Sequence, residues 1–131
     1  MKHGIFALFE NLENDEKKSF KEAFKTIKFI EKLGFNEAWI SEHHFNSFSL
    51  TSSPVALAAY ALAKTKSLKI GVAGFILPAY DTLRLASDIA NLEAISGGRL
   101  ITGFAKGSFP IYMASVHDES LGFAARRGYP F

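Results

Sequence analysis

Apolar and polar positions follow two alternating periods along this chain. Gly4 to Phe9 is a short apolar run closed by Glu10 and a loop rich in Asn, Glu and Asp, the pattern of a strand buried on both faces. The period then becomes helical. Phe20, Ala23, Phe24, Ile27, Ile30 and Leu33 recur three or four residues apart, and Asp15 and Glu16 stand where the first turn favours negative charge. Gly34 lies just past the end, where a left-handed cap needs a residue without Cβ. Glu37 to Ser41 predicts a second strand. Ser53-Pro54 predicts an N-cap followed by proline at the first helical position, in a helix reaching about Thr65. Lys69 to Phe75 reads as a third strand, and Asp81 as the cap of a third helix that runs to about Ile95. Gly97-Gly98 ends that helix, and Leu100 to Ala105 is the fourth strand.

The strand starts, near residues 4, 37, 69 and 100, are spaced by 33, 32 and 31 residues, the length of one βα unit. Such a repeat implies an α/β fold with parallel strands and right-handed helical crossovers. The stretch GFAKGSFPIYMASVHDES, residues 103 to 120, breaks the rule. A fifth strand-like run, Ile111 to Ala114, follows after Lys106 to Pro110 alone, whereas parallel neighbours need a crossover of about a dozen residues or more. The two runs pair as a hairpin, or form one bent strand, or have lost a helical unit between them. Ser115 then opens a last short helix, with Asp118 at the capping-box position and Gly128 closing it.

Composition narrows the partners. The 131 residues are 48% hydrophobic, enough for one domain with a real core. The charge of +2 comes from 15 basic and 13 acidic residues scattered along the chain, without the basic face that nucleic acid requires. With no cysteine, disulfides, thiolate metal sites and thiol nucleophiles are excluded. The start, Met1-Lys2-His3-Gly4, does not read as a signal peptide, and no apolar run approaches the roughly 18 residues of a membrane span. The expectation is a cytoplasmic protein without a membrane partner.

Crossovers place loops and helix N-termini at the C-terminal ends of parallel strands, so the chemistry is expected there. Four stretches occupy that edge. Ser41-Glu42-His43-His44-Phe45 sets two imidazoles beside a carboxylate, a means of proton transfer or, equally, of capping the strand. Adjacent side chains on extended backbone point to opposite faces, so the pair does not readily chelate a metal, and no metal site is expected. Gly71-Val72-Ala73-Gly74 lets the backbone approach a large flat group, or marks a bulge or barrel corner. Gly103-Phe104-Ala105-Lys106-Gly107-Ser108 sets a cation among glycines, which suits a phosphate or a solvated turn. Ser115 to Ser120 is a helix N-terminus whose free amides favour an anion, although Asp118 and Glu119 oppose one.

Taken in order, these stretches carry a resemblance. From Met1 to about Ser108 the chain resembles the bacterial luciferase-like flavin-dependent monooxygenases, through LGF, EAWISEHHF, SPVALAAYALAKT, LKIGVAGFILP, ISGGR and GFAKG. Residues 109–131 resemble a segment that comes later in the family, so an internal deletion near Ser108 or Phe109 and a truncation are expected. The resemblance implies a partial TIM-type (β/α) barrel: a single domain over 1–131, its first half 1–108, with about four βα units plus one extra strand and helix. It also implies FMN at the C-terminal face, reduced by a separate reductase, with a deazaflavin as the other option. Oxygen and a small organic molecule such as an aldehyde are the implied substrates. His43 matches the family's active-site histidine, with acid/base assistance as its implied role. Glu42, Ala73, Gly74, Lys106, Ser115 and Ser120 match cofactor-binding positions. Ala73-Gly74 stands where the family often has a non-proline cis peptide, and Lys106 where it often has a phosphate-contacting arginine. Lysine keeps that charge but loses the fork.

A closed barrel of this type has eight strands and about 250 residues. An open sheet leaves one face and its edges uncovered, so a homodimer or a partner chain is expected to supply the missing half. Two functions stay open: a flavin monooxygenase, or a non-catalytic flavin-binding or structural remnant of one, inactive through truncation. An open doubly wound domain is a third possibility, but Asn11 to Asp15 lacks its glycine signature.

Overall fold

Strand and helix alternate with the spacing expected from the sequence. A computed structural model of the chain describes residues 2–45 and 49–106. Chain order is β1 (Gly4–Ala7), α1 (Glu16–Lys32), β2 (Glu37–Ile40), α2 (Pro54–Lys64), β3 (Lys69–Ile76), a 3-10 turn (Leu77–Ala79), α3 (Thr82–Ser96) and β4 (Leu100–Ala105). The expected fifth strand at Ile111 to Ala114 and the helix opening at Ser115 lie outside the described residues. The four strands form one sheet in the order β1-β2-β3-β4, each pair parallel. One row across it reads Phe6, Trp39, Gly71, Ile101.

Local chemistry fixes the helix ends. The Asp15 carboxylate accepts from the Lys18 N–H at 3.0 Å, and the Asp81 carboxylate from the Arg84 N–H at 2.9 Å. Each satisfies an amide that the first turn leaves unpaired. Ser53 sits at the N-cap of α2, but its side chain makes no capping bond; Pro54 at the first helical position sets the backbone instead. Gly34 and Gly97 adopt φ of +82° and +66° after α1 and α3, the left-handed stop that the sequence predicts.

All three helices cover the same face of the sheet. Ala7, Phe9, Ala38, Ile40, Ile70 and Val72 are buried there against Ile27, Ile30, Ala58, Leu62, Leu85 and Leu92. Each large side chain so buried stabilises the fold by about 1.5–3 kcal/mol. The expectation that β1 is buried on both faces is overturned. Phe6 and Leu8 are 51% and 52% exposed, because among the described residues no second layer covers that side. The strand also ends at Ala7 rather than Phe9. Beyond it, the Phe9 carbonyl accepts from the Leu50 N–H, and Glu10 bridges Ser49 in antiparallel fashion, so the chain leaves the β2 ladder for the 49–50 segment.

Two long-range clamps close the N-terminal edge. Glu31, near the end of α1, accepts from the N–H groups of Lys66, Ser67 and Leu68 at 2.7, 2.7 and 3.0 Å. Burial pushes its carboxyl up, but these bonds outweigh it and hold the group down to about 2. Arg99, just before β4, donates to the Leu62 carbonyl at 2.9 Å, the Leu68 carbonyl at 3.2 Å and the Thr65 hydroxyl at 3.1 Å. The arginine of ISGGR therefore satisfies one carbonyl at the end of α2, where a helix leaves it without a partner, and a second just before β3.

Candidate functional site at the C-terminal rim

Because β2, β3 and β4 are adjacent and parallel, their C-terminal ends share one edge. His43 lies three residues past the end of β2, Ala73 and Gly74 lie in the last half of β3, and Lys106 directly follows β4. These residues, drawn from three separate stretches, thus meet at a common rim. His43, Ala73 and Lys106 are exposed there, as is Phe104. Ser115 and Ser120 lie outside the described residues.

The middle of the rim is irregular. The Ala73–Gly74 peptide is cis, at the place the resemblance indicates, and the β3–β4 register shifts between Val72 and Phe75. The backbones come close here. A Cβ on Gly103 would lie 2.8 Å from the Val72 carbonyl oxygen, and one on Gly74 would lie 3.1 Å from the backbone of Gly103. Gly71 has a different explanation from the one considered above. A Cβ there would lie 2.3 Å from the Trp39 ring, so its room is filled by the protein's own indole and is not left for a ligand.

The EHHF segment sorts its side chains by the period of two that extended backbone imposes. Glu42 and His44 turn to one side, where His44 Nε2 meets Glu42 Oε1 at 2.5 Å. Glu42 is fully buried at its side chain, and its Oε2 accepts from the Ile76 N–H at 2.9 Å. The His43 backbone N–H donates to the Thr51 carbonyl at 3.2 Å, and the Ser41 and Thr51 hydroxyls lie 3.3 Å apart. Phe45 then takes a left-handed φ of +53° and is 78% exposed.

Tyr80 is a member of this cluster that sequence reasoning missed. Burial, then the Glu42 charge and the hydrogen bond to Glu42, push its phenol up, so it stays protonated across the ordinary pH range. Its ring packs edge-on against Phe75, with centroids 5.9 Å apart. Its position just before the cap of α3 was the available signal, but that says nothing about a partner 38 residues upstream.

The donor set suits a planar, phosphorylated molecule in kind. Lys106 offers an ammonium for a phosphate, Ala73 and Gly74 offer a surface without bulky side chains, and His43 offers a titratable imidazole. A shallow cavity of about 280 Å³ lies elsewhere, between β1 and α1, lined by Ile5, Phe6, Glu10, Asp15, Lys18 and Glu22 among others. Its lysine is paired with Glu13, so carboxylates dominate it and a phosphate would be repelled.

The family profile described as luciferase-like monooxygenase matches residues 1–110. The alkanal monooxygenase alpha chain of Photorhabdus luminescens is 34% identical over 110 residues, covering 83% of this chain and 31% of that one. The chain thus spans about a third of the length of such relatives. Among solved structures, the oxygenating constituent of 3,6-diketocamphane monooxygenase from Pseudomonas putida, in complex with FMN, superposes with a TM-score of 0.77 at 25% identity. That match covers 84% of this chain and 31% of the other. An F420-dependent secondary alcohol dehydrogenase in complex with an F420-acetone adduct gives 0.65 at 25% identity, over 82% and 32%. These matches rest on the same parallel βα units whose rim has just been described, and with them the chain belongs to the luciferase-like monooxygenase family.

Proposed function

We propose that the C-terminal rim binds FMN and serves the oxygenation of a small organic substrate such as an aldehyde. The observation that carries this reading is the meeting of His43, Ala73-Gly74 and Lys106 at the ends of three adjacent parallel strands. In this reading Lys106 holds the phosphate, the small pair in β3 supports the flat ring system, and His43 holds or moves a proton beside it. Bound and reduced by a separate reductase, FMN supplies two electrons, so that one oxygen atom of O2 enters the substrate and the other leaves as water. The F420-linked neighbour keeps a deazaflavin as the other cofactor of the same shape. Glu42, Ser115 and Ser120 complete the proposed binding set, Glu42 acting through its protein contacts.

A second reading is favoured by a specific feature: His43, Ala73 and Lys106 are all exposed, whereas oxygen chemistry at a flavin needs water kept out. In that reading the chain binds flavin without turnover. We further propose that a second copy or a partner chain covers the open face carrying Phe6 and Leu8; a well-folded monomer by light scattering would contradict this. The site itself is tested by titrating the chain with FMN and following flavin fluorescence. Saturable binding is expected, and its absence at about 100 µM, or about −5.5 kcal/mol, would remove the support for both flavin readings. Oxygen consumption with reduced FMN and a long-chain aldehyde then separates turnover from binding alone.

A further inference from the structure

The carboxylate of Glu42, its side chain fully buried, sits where β2 and β3 end and α3 begins. We propose that Glu42 is the positioning residue of the rim, setting His43 relative to the Ala73-Gly74 stretch by tying the exit of β2 to the end of β3 and the start of α3. The positioning of His43 for chemistry rests on the FMN reading above; the tie itself does not.

Residues 41–45 lie beyond the β2 ladder, so no sheet hydrogen bonds fix their path. They are held from two flanks instead. On one, Thr51 receives the His43 N–H and lies beside the Ser41 hydroxyl. On the other, Glu42 reaches 34 residues along the chain to the Ile76 N–H, two residues beyond Gly74. The residue that immediately precedes His43 is thereby bonded to the strand end that carries Ala73 and Gly74. Its other oxygen holds His44, and Tyr80, at the entry to α3, bonds the same carboxylate. A buried carboxylate is costly unless its lone pairs are satisfied, and here N–H, imidazole and phenol share that task. A carboxylate serves several donors at once, whereas a carboxamide of the same shape must turn one end into a donor. Glu42→Gln therefore keeps the volume and loses the junction.

The test uses the full chain, isotope-labelled, as wild type, Glu42→Gln and Tyr80→Phe, with NMR of the Ile76 amide and the His43 ring alongside an FMN titration. In Glu42→Gln both resonances are expected to move together, and FMN affinity is expected to fall about tenfold. The amides of Lys66, Ser67 and Leu68, at the Glu31 clamp on the opposite edge, should stay in place. Unmoved His43 and Ile76 resonances would overturn the proposal. So would a uniform change that includes the Glu31 clamp, since that is loss of stability and not of position. If Glu42→Gln does not fold, Tyr80→Phe, which keeps the packing on Phe75, should shift the His43 signal by a smaller amount; no shift overturns the proposal. Failure of wild type to bind FMN would defeat the flavin reading, while the resonances would still decide the tie.

Discussion

Trp39 lies over Gly71 across the β2–β3 ladder, and its indole occupies the place where any side chain at 71 would begin. An added Cβ would lie 2.3 Å from the ring, a distance that real contacts do not reach. Gly71→Ala must displace the indole or the strand, and is expected to cost about 1–3 kcal/mol in denaturant unfolding. The chain has one tryptophan, so its fluorescence reports the displacement directly. In a Trp39→Phe background the penalty should shrink, and an unchanged penalty would show that the clash lies elsewhere.

Glu31 makes the stability of the chain depend on pH in acid. Its folded value of about 2 lies below the ordinary glutamate value of 4.5, so its contribution is fully present above about 4.5 and is lost as pH falls towards about 2. Glu31→Ala should therefore be about 1–3 kcal/mol less stable than wild type at neutral pH. The difference should close across that acid window. Urea midpoints measured as a function of pH check this, and a gap that stays constant down to the acid limit would contradict it.

Arg99→Lys keeps the charge and removes the fork. Lysine cannot reach the carbonyls of Leu62 and Leu68 and the hydroxyl of Thr65 together, as Arg99 does. The expected cost is about 1–3 kcal/mol, with faster amide exchange concentrated at the end of α2 and the start of β3. Exchange rates that are unchanged there would mean that the arginine clamps nothing of consequence.

Lys106 separates phosphate recognition from ring recognition. Lys106→Ala should weaken FMN about tenfold while leaving riboflavin unaffected, and Lys106→Arg should hold FMN at least as well as lysine does. The FMN advantage should also narrow as salt rises, since the ammonium is exposed. Equal losses for both ligands would place the phosphate elsewhere.

Much of this was legible in the sequence, and the parts that were not share a physical reason. The regular spacing of the strand starts, Asp81 as a cap, and Gly34 and Gly97 as stops are local signals, each carried by a few neighbouring residues, and the structure follows them; Asp15, read as first-turn charge, is itself the cap of α1. The burial of β1 was misread because an apolar run does not say whether one face or two are covered; Phe6 and Leu8 remain open. Gly71 was ambiguous for a similar reason: a missing side chain leaves room, and only the register with Trp39 shows what fills it. The distant partners of Glu31, Arg99 and Glu42 lie 31 to 38 residues away, where no periodicity reaches. Of the rim, the sequence indicated which positions stand at strand ends, but not that Glu42 turns inward while His43 remains exposed.

The most direct measurement of the rim is hydrogen–deuterium exchange of the chain with and without saturating FMN. Binding at the proposed site should protect residues 41–45, 71–76 and 103–106 together and leave the opposite edge, around residues 31–36, 64–69 and 96–100, unchanged. Protection confined to that opposite edge, or to the groove between β1 and α1, would contradict a flavin site built on His43, Ala73-Gly74 and Lys106.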